Sequence, residues 1–271
     1  MDPADIETKD GAQTVHRIAA LLRVLKAAGQ SGRTAAELAE QCGLTRSTAH
    51  RLLAALKSEG LIAQPPGGRH YHLGPQLYEL GLVAPPTFGM RELCCDLVSR
   101  LSESANATCL LTLRSGLDGV CVDRVVAGPE CEVLKIEIGY RRPLGVGLGS
   151  IAILAALPAE ESEAVMRANG MRYRDWNKLG VNYISSMVQR TRRNGYAFTA
   201  NDYIDSVGGF ALAIRAPDTQ VPFAAVSLAS RVDVMPPSRM PELLPQLQAS
   251  VETIEARLRQ RMTVSPCPPT R

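Results

Sequence analysis

Apolar positions along this chain follow a helical rhythm at both ends and a two-residue alternation in parts of the middle. Val15, Ile18, Ala19, Leu22 and Leu25 recur at spacings that form the stripe of an amphipathic helix. A short helix is expected from Ala35 to Cys42, with Leu38 and Ala39 inward. Thr34 can cap it, and Glu37 three residues on completes a capping box. Gly43 stands where the chain must turn, because glycine takes positive φ without a Cβ clash, and Leu44 plugs the corner. Thr45 can cap a second helix running to about Ser58, before Glu59-Gly60. On it Ala49, Leu52, Leu53 and Leu56 face inward, while Ser47, His50, Arg51 and Ala54 face outward and Arg46 lies in the first turn. Leu-Ile-Ala-Gln, Pro-Pro-Gly-Gly and Arg-His-Tyr-His-Leu then read as two short strands around a turn, a β-ribbon wing. Helix, turn, helix and ribbon in this order predict a winged helix-turn-helix.

The rest of the chain alternates between the two rhythms. A helix from Gln76 to Leu82 leads to the break at Pro85-Pro86, where helical hydrogen bonding must stop. Helices are expected over Arg91–Ser104, Ser150–Ala156, Glu160–Ala168, Ile184–Asn194 and Met240–Met262. Strands are expected over Thr108–Leu113, Val120–Val126, Val133–Ile138, Gly208–Ala216 and Phe223–Ala229. Their hairpin and helix connections predict an α+β domain, an antiparallel sheet flanked by helices. Asp202 and Asp205 are expected to cap or solvate a helix after Phe198. The predicted organisation is an arm over residues 1–12, a winged helix-turn-helix domain over 13–75, a linker over 76–88, an α+β domain over 89–262 and a disordered tail over 263–271.

Charge sharpens the first domain. From Gln13 to Pro75 there are eight lysines and arginines against three acidic residues, and from Gln76 onward twenty-one against twenty. All four histidines (His16, His50, His70 and His72) also lie in the small module. A basic module on a near-neutral body suits double-stranded DNA. The candidate DNA-contacting residues are Thr34, Thr45, Arg46, Ser47, Thr48, His50, Arg51 and Arg69, the last beside the wing turn and within reach of a phosphate or the minor groove.

Composition also excludes. No apolar run approaches the roughly 20 residues of a membrane span. The start is acidic and polar, unlike a signal peptide, which points to a cytoplasmic protein. Seven cysteines form no CxxC pair and no zinc-ligand set, so buried thiols are expected, with a thiol sensor as the alternative. No cofactor or metal is implied. Beyond His72 there is no histidine, which rules out Ser-His and Cys-His catalytic pairs in the large domain. GVGLGS is neither a nucleophile elbow nor a phosphate-binding loop. An enzyme is therefore the weakest class, and a sequence-independent DNA-organising protein is the other alternative to a specific regulator.

Four segments carry a resemblance to the IclR family of bacterial transcription regulators: GLTRSTAHRLLAALKSEGLI, YHLGPQLYELG, RRPLGVGLGSIAILAALP and GYAFTANDYIDSVGGFALAI. The resemblance implies a GAF-like effector domain, a small-molecule effector, and a homodimer or homotetramer on a partly palindromic operator. It implies a repressor as the sign of regulation. Effector binding is then expected to change the relative placement of the DNA-binding modules through the helix from Gln76 and the Pro85-Pro86 break.

By the same resemblance the effector site uses the loop Gly145, Val146, Gly147, Leu148 and Gly149, together with Thr199, Gly209, Ser227 and Ala229. Physically, Gly145, Gly147 and Gly149 can present backbone N–H groups just before a helix N-terminus, which favours a carboxylate. A close-packed loop that needs small residues explains them equally well. The family is often acidic at Thr199, cysteine at Gly209 and serine at both Ser227 and Ala229, so only Ser227 is retained. That implies a less polar pocket, and an aromatic or acyl carboxylate rather than a two- or three-carbon acid. Arg141 and Arg142 precede the loop, and either can pair a carboxylate or remain solvated.

Overall fold

Capping explains where the helices of the N-terminal region begin and end. The computed structural model describes residues 3–82, 89–128, 136–176, 179–201 and 205–263, and the chain divides into two units, Met1–Pro85 and Pro86–Arg271. In the first, α1 spans Pro3–Ala28, α2 Ala35–Gln41 and α3 Arg46–Ser58. The Thr34 hydroxyl accepts from Glu37 N at 3.3 Å, and Thr34 N donates to Glu37 Oε2 at 2.7 Å, so the capping box is complete. The same bonds hold the Glu37 carboxyl below its usual range. At the other end Gly43 takes φ +61°. Gly43 N reaches Glu40 O at 3.1 Å and Leu44 N reaches Ala39 O at 2.8 Å, the paired bonds of a Schellman stop. Gly60 and Leu61 repeat it at the end of α3, on Lys57 O and Leu56 O.

The smaller core gathers Leu21, Leu25, Leu38, Leu52, Leu53, Leu56 and Ile62. The α1 stripe therefore centres on Leu21 and Leu25, with Ile18 and Leu22 beside them, whereas Val15 is 64% exposed. The backbone is helical from Pro3, through most of the segment read as an arm. The ribbon comprises β2 (Ile62–Ala63) and β3 (His70–Leu73), and a two-residue strand β1 (Arg33–Thr34) joins β3 on its other side. No periodicity can announce so short a strand. Helix α4 (Pro75–Leu82) follows, and the Pro85-Pro86 break lies outside the described residues.

The second unit holds α5 (Met90–Ala105), β4 (Thr108–Ser115), β5 (Asp118–Val126), β6 (Arg141–Pro143), α6 (Leu148–Ala156), α7 (Ala159–Asn169), α8 (Val181–Asn194), β7 (Ala197–Ala200), β8 (Val207–Arg215), β9 (Pro222–Arg231) and α9 (Met240–Thr263). Six strands form one antiparallel sheet in the order β6-β5-β4-β9-β8-β7. Alternate residues divide its faces. Cys109, Leu111, Phe210, Val226 and Leu228 pack with α5 and α9, while Ala211 and Ala225 pack with α6 and α8.

Three expectations are corrected. Of Val133–Ile138, residues 133–135 are outside the described set, and Ile136–Ile138 form no strand. The edge strand lies instead at Arg141–Pro143, where Pro143 is tolerated because an edge residue need not donate to a second neighbour. Phe198 belongs to β7, paired with Phe210, and among the described residues no helix lies between it and β8. Asp205 is exposed in a turn, and Asp202 is outside the described residues. Helix α6 begins at Leu148, so Gly149 lies inside its first turn.

Of the thiols, Cys94 is pushed up to about 12 and Cys121 to about 11 by burial, and Cys109 also upward, which keeps them protonated and inert. Cys95 is exposed and Cys42 half-buried. Among the described residues no three potential metal ligands cluster, and no helix is long and apolar enough to cross a membrane.

Candidate DNA-reading face and effector hollow

Helix α3 buries Ala49, Leu52, Leu53 and Leu56 and leaves Arg46, Ser47, His50 and Arg51 exposed on a contiguous face. Thr45 accepts from Thr48 N at 3.3 Å, and its hydroxyl reaches Thr48 Oγ1 at 2.9 Å and Ser47 Oγ at 3.2 Å. The helix N-terminus is thus set by a hydroxyl cluster. Thr34 is half-buried, and its hydroxyl is engaged with Glu37, so its role in the structure is that of a cap. The wing turn closes through Gly68 N to Pro65 O at 2.9 Å, with Gly67 at φ +71° supplying the conformation a turn after Pro66 needs. Lys57 Nζ donates to Gln64 Oε1 at 3.2 Å, and Gln64 Nε2 donates to Gly68 O at 3.0 Å. This relay ties α3 to the wing, next to exposed Arg69, and left no pattern in the sequence.

In the larger unit a small hollow of about 40 Å³, partly open to solvent, lies between the sheet and the N-terminus of α6. Leu110, Arg142, Thr199, Val207, Ser227 and Ala229 line it from strands, and Ile136, Gly147, Leu148 and Gly149 complete it. Arg142 is the one charged side chain among these lining residues. Its guanidinium sits where a Cβ on Gly147 would lie only 2.9–3.1 Å away. Gly147 is the N-cap of α6 at φ +91°, with no side-chain cap. A guanidinium and an uncapped helix N-terminus thus converge on apolar walls, an arrangement that favours an anion. Arg141, by contrast, is tied to Asp118 at 2.9 Å and to Ser115, away from the hollow.

The glycines divide between the two explanations. A Cβ on Gly149 would stand 2.8 Å from Thr112 Oγ1, and one on Gly145 2.8 Å from the Tyr173 hydroxyl, so both are close-packing positions. Gly147 alone faces the guanidinium. Val146 is fully buried among the residues between α6 and α8 and does not line the hollow. Gly209 does not line it either, because Leu148 Cδ1 occupies the space above its backbone.

A buried network holds the loop in place. Tyr173 donates to Leu144 O at 2.6 Å, and Asn169 Nδ2 donates to Leu117 O at 2.8 Å and Leu144 O at 3.4 Å. Burial pushes the Tyr173 phenol up to about 12, so it remains a donor. Asp118 receives Arg141 and Arg172, the latter at 2.6 Å. These supporting residues come from separate elements, so no local motif marks them. A different hollow, at the C-terminus of α6, contains Arg192 and Arg215, whose guanidiniums already bind the last carbonyls of that helix.

Comparison with known proteins agrees with both halves. Residues 14–66 match the IclR helix-turn-helix domain, and residues 88–256 match the family described as bacterial transcriptional regulator IclR C-terminal. The chain is 28% identical over 240 residues to the glycerol operon regulatory protein of Streptomyces coelicolor, covering 88% of this chain and 92% of that one. It is 28% identical over 231 residues to the HTH-type transcriptional regulator TtgV of Pseudomonas putida, covering 84% and 83%. An IclR homolog from Microbacterium hydrocarbonoxydans, solved in complex with 4-hydroxybenzoate, superposes with a TM-score of 0.72 at 20% identity, covering 91% of this chain and 99% of that one. With a winged helix-turn-helix, an antiparallel effector sheet and family matches across both, this chain belongs to the IclR family and is a DNA-binding transcriptional regulator rather than an enzyme.

Proposed function

We propose that the chain is a cytoplasmic repressor whose hold on its operator is set by an aromatic or acyl carboxylate bound beside Arg142. The observation that carries the effector class is the convergence of the Arg142 guanidinium and the uncapped N-terminus of α6 on otherwise uncharged walls. A carboxylate there gains a charge-assisted hydrogen bond, and an apolar body gains burial against Leu110, Ile136, Val207 and Ala229. Thr199 and Ser227 hydroxyls orient it. The neighbour solved with 4-hydroxybenzoate supports an aromatic acid as the first ligand to try.

On DNA, Arg46, Ser47, His50 and Arg51 read base edges and phosphates from the major groove, and Arg69 of the wing adds a backbone contact. Thr45 and Thr48 fix the helix end that approaches the phosphates. A homodimer or homotetramer presents paired recognition helices to two half-sites. The domain limits proposed are 13–75 for DNA, 76–88 for the linker and 89–262 for the effector. Regulation requires the ligand to bind the DNA-competent and DNA-incompetent states with different affinity.

A thermal-shift panel tests the effector class, because a ligand specific to the native state raises apparent stability. Stabilisation by benzoate and 4-hydroxybenzoate is expected, with none by acetate, glyoxylate or pyruvate. Stabilisation by the two- and three-carbon acids alone overturns the proposal.

A further inference from the structure

The Arg142 hollow adjoins a second, smaller one of about 20 Å³ between α6 and α8. Leu148 borders both, as do Gly147 and Thr199. The far hollow is walled by Ile151, Leu179 and Met187, with the hydroxyls of Tyr183 and Thr199 as its polar groups. It offers no charged side chain, so it rejects a second ionised group and accepts an apolar one.

Leu148 is half-buried in the first turn of α6, and its seat is bare backbone. Its Cδ1 lies 3.0 Å from where a Cβ on Gly209 would stand, and such a Cβ would also press to 2.3 Å on Leu228 O. Gly209 is therefore held side-chain-free by β9, and Leu148 fills the space this leaves. A leucine in a helix has more than one staggered rotamer, and it can leave a flat glycine seat without unlocking any interdigitated neighbour there.

We propose that Leu148 is a movable partition that sets effector length. When it swings off Gly209, the two hollows become one channel from Arg142 to Leu179 and Met187. The matching ligand is an elongated aromatic monocarboxylate, with its acid at Arg142 and a second ring or chain between α6 and α8. The inference rests on the carboxylate reading of Arg142 under Proposed function.

Calorimetric titration of the full-length protein with benzoate and with biphenyl-4-carboxylate tests it, on wild type, Leu148→Ala, Leu148→Phe and Arg142→Gln. Wild type is expected to bind the biphenyl acid about tenfold more tightly than benzoate, because a second ring is buried. Leu148→Ala strengthens the biphenyl acid about fivefold and moves benzoate less than about twofold, since only the longer ligand must displace the leucine. Leu148→Phe abolishes the biphenyl preference and keeps benzoate. Equal shifts for both acids in the Leu148 variants, or no biphenyl preference in wild type, overturn the partition. If Arg142→Gln weakens both acids while the Leu148 variants fail to discriminate, the partition alone is wrong. If Arg142→Gln changes neither, the carboxylate reading falls with it.

Discussion

The smaller unit builds its functional face from one continuous helix and one turn, whereas the larger unit assembles its hollow from β4, β7, β8, β9, β6 and the start of α6. In the first, the residues that cap α3 are adjacent to those proposed to meet DNA. In the second, Arg142 and Thr199 are far apart in sequence and meet only because the sheet closes between them. The proposed DNA-reading face can therefore be altered one side chain at a time, while the proposed effector site depends on scaffold residues such as Tyr173 that do not line the hollow.

Substitutions can break this contrast, and the largest effect is expected on DNA. Arg46→Ala with Arg51→Ala should weaken binding to a selected operator duplex by about 100-fold or more, at roughly 1–3 kcal/mol per contact. Fluorescence anisotropy measures it, and effector affinity should not change. Next is Gly147→Leu, which forces a side chain into φ +91° against the Arg142 guanidinium. Strain of about 1–2 kcal/mol in that region should weaken effector binding about tenfold or more. Operator affinity without effector should be preserved.

Tyr173→Phe tests the scaffold. It removes one donor to the buried Leu144 carbonyl while Asn169 remains, for a loss of about 1 kcal/mol in urea unfolding and a weaker effector response. An unchanged response would mean that the loop needs no such support. The smallest effect is Asp96→Asn, which breaks the ties of α5 to Arg257 of α9 at 2.6 Å and to Arg100 at 2.9 Å. These ties, Arg257 first, hold the Asp96 carboxyl down at about 2, below the ordinary 3.8. Because the folded value is depressed, the stabilisation is present above the ordinary value and is lost as pH falls toward the folded one. The exposed pair is worth about 0.5 kcal/mol near neutral pH. The gap between variant and wild type in urea melts should shrink below about pH 4.

Legibility followed the same divide. Thr34-Glu37, Gly43-Leu44 and Ala49-Leu52-Leu53-Leu56 are local chemistry, and each took the place its spacing implied. The wing was readable because Pro66-Gly67 dictates its own turn. The antiparallel sheet and the flanking helices were also legible from alternation. The edge strands β6 and β7 were not, because three or four residues pairing on one side need no apolar alternation. Arg141 and Arg142 were indistinguishable as neighbours, and only strand geometry sends one to Asp118 and the other to the hollow. Gly209 is an empty position in sequence, and its meaning came from Leu148 lying above it.

The central claim is that DNA reading and effector sensing reside in different units and meet only through a shift in equilibrium. Operator binding by wild type and Arg142→Gln, followed by anisotropy with and without saturating aromatic carboxylate, tests it most directly. The account predicts equal affinities without effector, a shift in wild type when effector is added, and no shift in the variant. Loss of operator binding by Arg142→Gln without effector, or an undiminished shift in the variant, would contradict it.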